Sequence, residues 1–262
     1  MNLELTTTLA QKLLSLADDE LILAHRNSEW TGHGPILEED IAFTNIALDE
    51  MGHAATWLRL RQELTGEEAD TAVFFRHASD YRNVQLVELP NGDWAFSMLR
   101  QYLFDVYEGV HLREVAASGY RPLAEAAVKI RTEEIYHLRH TAAWVRRLGL
   151  GTAESHHRMQ YALNELWPYA QQLFVPLPEE GLLVAEGMVT AVANLRDEWQ
   201  QITTSHLLDS GLVMPEGVVG TANGVAATQP LRAVSRSQHT PHLSTLLAEM
   251  QSVARLDPQA KW

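Results

Sequence analysis

The sequence predicts an all-α protein, a bundle of four long helices followed by shorter ones. Four long stretches repeat their apolar residues at three- and four-residue steps, the mark of an amphipathic helix. Glycine and proline clusters separate them, and no long run alternates apolar with polar residues. Helices of this kind bury their apolar stripes against one another.

The first helix is expected from Leu5 to about Glu29, with Leu9, Leu13, Leu16 and Leu23 on one face. Trp30-Thr31-Gly32-His33-Gly34-Pro35 ends it. The second runs from about Leu37 to Leu64 and is closed by Gly66. Asp70–Ala78 is a short helix candidate, and Glu88-Leu89-Pro90-Asn91-Gly92-Asp93 is a turn whose last residue suits a cap. The third long helix spans about Trp94–Ala117. The fourth starts at Pro122, a good first helical residue, and reaches about Leu148 before Gly149 and Gly151. A fifth spans about Ala153–Leu173, with Pro168 as a kink or stop. Gly181–Asp209 is moderately helical, Ser210–Gln238 reads as a long loop, and Pro241–Arg255 closes the chain with Leu243, Leu246, Leu247 and Met250 on one face.

A length of 262 residues allows one large domain or two small ones. The expectation is a single domain over 1–262, its core bundle at about 5–150 and the extra helices and loop at 151–262. The formal net charge of −14 argues against nucleic acid or an anionic membrane as main partner. There is no cysteine, which excludes disulfides, thiolate metal sites and iron–sulfur clusters. Any metal is therefore held by oxygen and nitrogen. No charge-free apolar run reaches membrane-spanning length, and Met1–Ala10 lacks the pattern of a secretory signal. A cytoplasmic location is the expectation.

Two segments are alike. Asp49-Glu50-Met51-Gly52-His53 lies on the second helix and Glu133-Glu134-Ile135-Tyr136-His137 on the fourth. Positions i and i+3 share a helix face, so each segment aims one carboxylate and one imidazole at one point. One Glu-x-x-His is common on a solvated helix. Two, on two of four long helices, are the pair expected of carboxylate-bridged two-metal bundles. The other two helices must then each supply a carboxylate. Glu20 is the candidate on the first and Asp105 on the third, with Glu108 as its substitute. Glu50 follows Glu20 by 30 residues and Glu134 follows Asp105 by 29, against 26 for Glu108, which favours Asp105. Glu20 and Asp105 also sit among apolar neighbours, where a carboxylate needs a partner or a metal. Arg26, Arg100 and Arg113 are the alternative partners. Four carboxylates and two imidazoles suit two iron ions, or manganese. Asp49 and Glu133 are placed to orient the histidine of the opposite motif. Phe104, Tyr107 and Tyr136 are close to the ligands in sequence, as pocket lining or as core.

Further stretches carry a resemblance that covers nearly the whole chain. They are Arg26-Asn27-Ser28-Glu29-Trp30-Thr31-Gly32-His33, Asn45-Ile46-Ala47-Leu48-Asp49, Val87-Glu88-Leu89-Pro90-Asn91-Gly92, Arg100-Gln101-Tyr102, Tyr136-His137-Leu138-Arg139 and the ending around His239-Thr240-Pro241-His242-Leu243. With these, the chain resembles the ferritin-like subunits of the bacterial phenylacetyl-CoA epoxidase, and more closely the smaller C-type subunit. The resemblance implies a ferritin-like bundle and a partnership with the A-type catalytic subunit, a reductase and small accessory subunits, as a homo- or hetero-oligomer. In that family the A-type subunit holds the di-iron centre, and the C-type subunit is regarded as a structural partner that has lost ligands. Glu20, Glu50, His53, Asp105, Glu134 and His137 nevertheless match the ligand positions of the catalytic subunit. Three functions stay open: an epoxidase subunit whose di-iron site activates O₂ toward phenylacetyl-CoA, a non-catalytic scaffold with a vestigial metal site, and an iron-storage or peroxide-handling bundle.

Overall fold

A computed structural model describes residues 1–215 and 234–260. The described residues form eleven α-helices and no strand. In chain order these are α1 (Leu3–Ser28), α2 (Leu37–Thr65), α3 (Ala69–Phe74), α4 (Gln85–Glu88), α5 (Trp94–Val115), α6 (Arg121–Gly149), α7 (Ala153–Ala170), α8 (Glu180–Ala185), α9 (Arg196–Asp209), α10 (Pro241–Met250) and α11 (Ser252–Leu256). The all-α, ferritin-like class expected from the sequence holds. None of these helices is long and apolar enough to cross a membrane.

The four long helices lie within a few residues of their expected bounds, because their start and stop signals act locally. Asn2 caps α1 by accepting from the Leu5 amide at 2.8 Å. Gly66 ends α2 in the left-handed region, at φ 74°, which glycine enters without strain. Asp93 caps α5 through the Phe96 amide at 3.0 Å. The weaker segments differ more. α3 stops at Phe74, four residues before the expected end. Pro168 falls in the last turn of α7, which ends at Ala170 and gives way to a 3₁₀ turn over Gln171–Phe174. The Gly181–Asp209 stretch is two helices, α8 and α9, separated by a connector. Most of the expected Ser210–Gln238 loop, residues 216–233, lies outside the described residues.

The chain divides into two compact units. One comprises Met1–Pro90, Leu177–Met188 and Ser235–Trp262; the other comprises Asn91–Pro176 and Val189–Val234. In the first, α1 and α2 pack as a long hairpin, joined by α3, α4, α8, α10 and α11. In the second, α5 and α6 form the matching hairpin, with α7 and α9 packed on it. The core of the second unit is aromatic. Trp199 of α9 stacks on Trp167 of α7 with ring centres 5.1 Å apart, and Phe174 stands 5.2 Å from Trp199.

Candidate metal centre

Each hairpin carries acids and imidazoles where its apolar stripe would otherwise continue. The buried stripe of α6 reads Leu123, Ala127, Ile130, Glu134, His137, Thr141, Val145. In α2 it reads Phe43, Ala47, Glu50, Ala54, Trp57, with His53 beside it. These three- and four-residue steps follow the 3.6-residue helical turn. The sequence puts polar groups on the core side, so they are buried by their position and not by folding error. Glu20, Glu50, His53, Asp105, Glu134 and His137 are all at most 2 % exposed.

In the first unit α1 is buried nearly all round, and Asp18, Asp19 and Glu20 turn in three directions at about 100° per residue. Asp18 takes the Arg76 guanidinium, at 3.0 Å and 2.5 Å, and the Arg82 amide at 2.8 Å. Asp19 takes Arg236 at 2.6 Å and the Val84 amide at 2.7 Å. Burial pushes the Asp19 carboxyl up from its ordinary range, against the opposing pull of Arg236. Glu20 instead faces Glu50 and His53. The imidazole Nδ1 is 3.8 Å from a carboxylate oxygen of each, and one ligand atom from each of the three residues lies within 4.8 Å of the others. Two carboxylates and an imidazole gathered this way, away from water, are a hard donor set of the kind that divalent iron or manganese takes.

In the second unit Glu134 Oε1 and His137 Nδ1 are 3.0 Å apart on α6. Asp105 reaches the same helix from α5. Its Oδ2 accepts from the Thr141 hydroxyl at 2.5 Å, and that hydroxyl is also 3.0 Å from the His137 carbonyl oxygen. Its Oδ1 accepts from the Gln101 side chain, one turn back on α5, at 2.6 Å. Asp105 and His137 are thus brought within ligand reach of one another, Glu134 is paired with the same histidine, and Gln101 and Thr141 hold the Asp105 carboxylate, residues that periodicity alone does not single out. Tyr102 is buried beside them, and burial pushes its hydroxyl well above the usual tyrosine range, with the Asp105 carboxylate adding to the shift.

Glu108 belongs to a third Glu-x-x-His pair. His111 lies one turn on, with Nδ1 3.8 Å from Glu108 Oε1, and its ring stacks on Tyr107 at 5.1 Å. Both residues are buried. The signal that finds His111 is the same three-residue spacing that marks the other two motifs. Asp49 and Glu133 are half-buried. The three arginines offered as alternative partners have other ties. Arg26 binds Glu29 and the Glu88 carbonyl, Arg100 binds Asn91, and Arg113 is held by Glu198 and Glu114. Phe104 and Tyr107 are core, whereas Tyr136 is 71 % exposed and lines nothing near the ligands, since it lies on the outer side of α6.

Comparison with known proteins assigns the chain to a family. The phenylacetic acid catabolic protein family matches over residues 1–262. The chain belongs to that family. It is 35% identical over 250 residues to the C subunit of 1,2-phenylacetyl-CoA epoxidase from Escherichia coli (strain K12), covering 95% of this chain and 97% of that one. The motif stretches common to the family resemblance have a structural part as well. In the first unit Glu88 accepts four hydrogen bonds: Asn83 at 3.0 Å and His239 at 2.6 Å on Oε1, the Thr240 amide at 2.6 Å and hydroxyl at 2.7 Å on Oε2. Arg26 donates to the carbonyl of the same residue at 2.9 Å. The Arg26, Glu88 and His239 stretches are therefore one clasp.

Proposed function

We infer that this family member is the C-type subunit of a phenylacetyl-CoA epoxidase, and that Glu20, Glu50, His53, Asp105, Glu134 and His137 are the donors for two iron ions, with manganese as the alternative. The observation that carries the assignment to the complex is the near end-to-end match to the epoxidase's C-type relative. The gathering of Glu20, Glu50 and His53 carries the metal reading. Its partners are the A-type catalytic subunit, a reductase and small accessory subunits. An electron source outside the chain is required, because there is no cysteine for an iron–sulfur cluster.

Bound iron supplies O₂ activation. The chain's own contribution is to hold the donors in place. Glu20 and Glu50 present carboxylates and His53 an imidazole from two facing helices. Glu134 and His137 present a second carboxylate–imidazole pair, and an ion there would replace the hydrogen bond that they share. Gln101 and Thr141 fix the Asp105 carboxylate, the usual way in which outlying hydrogen bonds set a ligand's orientation. Glu20 is 2 % exposed, so its carboxylate lies out of reach of bulk water.

A specific observation favours a second reading. Both oxygens of Asp105 already accept hydrogen bonds within the second unit, so this carboxylate is satisfied without a metal. A scaffold protein with a vestigial site has that property. Elemental analysis of the purified chain after anaerobic reconstitution with iron(II) separates the two. About two irons per chain support the two-ion centre; no tight iron supports the scaffold. Replacing Glu50 and His53 together by Ala is expected to abolish bound iron and leave the helical circular-dichroism signal intact. Iron retained at full stoichiometry in that variant would sink the ligand assignment.

A further inference from the structure

Within the second unit, α5, α6 and α9 enclose a cleft of about 220 Å³ that opens to the surface and has Glu134 in its wall. Most of the lining is apolar: Val106 and Val110 from α5, Ile135 and Leu138 from α6, and Ile202 from α9. Gly109 of α5 also lies in its wall. A Cβ at this position would meet the Leu138 side chain at 3.9 Å, an ordinary contact, so alanine fits there. The charges around the cleft balance, two arginines against two glutamates. Arg113 is already held by Glu198 through two hydrogen bonds of 2.7 Å. An anion therefore gains little here, and a cation no more. Size agrees with lining, since an apolar cavity of about 150 Å³ takes benzene or xenon.

We propose that this cleft admits a small, uncharged, apolar molecule, of the size range from dioxygen to one aromatic ring, to the Glu134 side of α6. Its meaning for chemistry rests on the metal reading above, because Glu134 is one of the proposed ligands. Its existence as a binding site does not.

Xenon tests the site directly. Crystals of the full chain under xenon pressure are expected to show an anomalous peak in the cleft, against Val106 and Leu138. Gly109→Leu fills the space from the helix side and is expected to remove the peak. Because that change is made in a packed helix, Ile202→Trp provides a second obstruction, from a position 40 % exposed on α9, and is expected to do the same. Gly109→Ala is expected to keep xenon. No xenon in the wild-type cleft would overturn the proposal, as would undiminished occupancy in both bulky variants. Iron content measured on the same protein keeps the two readings apart: xenon without iron leaves the cleft and removes the metal centre, and iron without xenon does the reverse.

Discussion

Three consecutive acids, Asp18, Asp19 and Glu20, are buried on one helix, and each meets different chemistry. The first two find guanidinium groups, and the third finds a carboxylate and an imidazole. A buried carboxylate is tolerable only with such company. Lys12 and Glu180 make the same point as an ion pair, 3.3 Å apart and both almost fully buried. Burial acts to raise the Glu180 carboxyl, but Lys12 and the Leu177 amide outweigh it, and the net position is below the ordinary 4.5. An acid depressed in the folded state stabilises the fold above its unfolded value and loses that contribution as pH falls through the folded one. Glu180→Gln leaves the Lys12 charge buried and is expected to cost about 3–5 kcal/mol near neutral pH. Denaturant unfolding of both proteins along a pH series checks it: the gap between them should stay constant down to about pH 4.5 and narrow below. A gap that widens in acid would contradict the assigned role of the pair.

Legibility from sequence follows how local the cause is. The bounds of α1, α2, α5 and α6 are readable because caps, glycines and apolar spacing all act within a few residues. The polar replacements in the stripes of α2 and α6 are readable for the same reason, and they give Glu50, His53, Glu134 and His137 their common face. The end of α8 has a local mark, Gly187 at φ 65°, but the seat of α9 is not legible. It is set by Trp199, whose indole N–H reaches the Leu103 carbonyl at 3.0 Å while its ring stacks on Trp167. That position is dictated by residues distant in the chain. The Gln101–Asp105–Thr141 bridge is hidden for a like reason, as it joins α5 to α6 across 36 residues. The weight placed on Trp199 has a measurable consequence. It is fully buried, so Trp199→Ala is expected to cost about 3–5 kcal/mol through lost transfer energy and the cavity left behind. Equilibrium urea unfolding gives the number, and a loss under about 1 kcal/mol would mean that α9 is not anchored by this ring.

At the scale of the molecule, the first unit is finished by late parts of the chain. Asp19 receives its guanidinium from Arg236, and three of the four donors to Glu88 come from His239 and Thr240. His239 has Nδ1 against the Glu88 carboxylate and Nε2 3.0 Å from the Tyr81 carbonyl oxygen, so the ring ties the 81–88 stretch from two sides. Gln251 adds a bond to the Val73 carbonyl at 3.0 Å. Leu243, Leu246 and Leu247 of α10 are buried as well, each worth about 1.5–3 kcal/mol in burial. Against a usual stability margin of about 5–15 kcal/mol for a domain, such a segment decides whether the stretch before it is ordered. A chain ending at Val234 is therefore expected to lose amide protection across residues 76–90, where Asp18 and Asp19 hold the Arg82 and Val84 amides and Glu88 holds the Asn83 side chain. Hydrogen exchange read by mass spectrometry measures this, and adding a peptide of residues 235–262 should restore protection in proportion to its occupancy. Single replacement of His239 by Ala should give a smaller loss, centred on Tyr81–Glu88, since Thr240 still engages Glu88. Native protection of residues 76–90 in the shortened chain would show that the clasp follows the order of this stretch and does not create it.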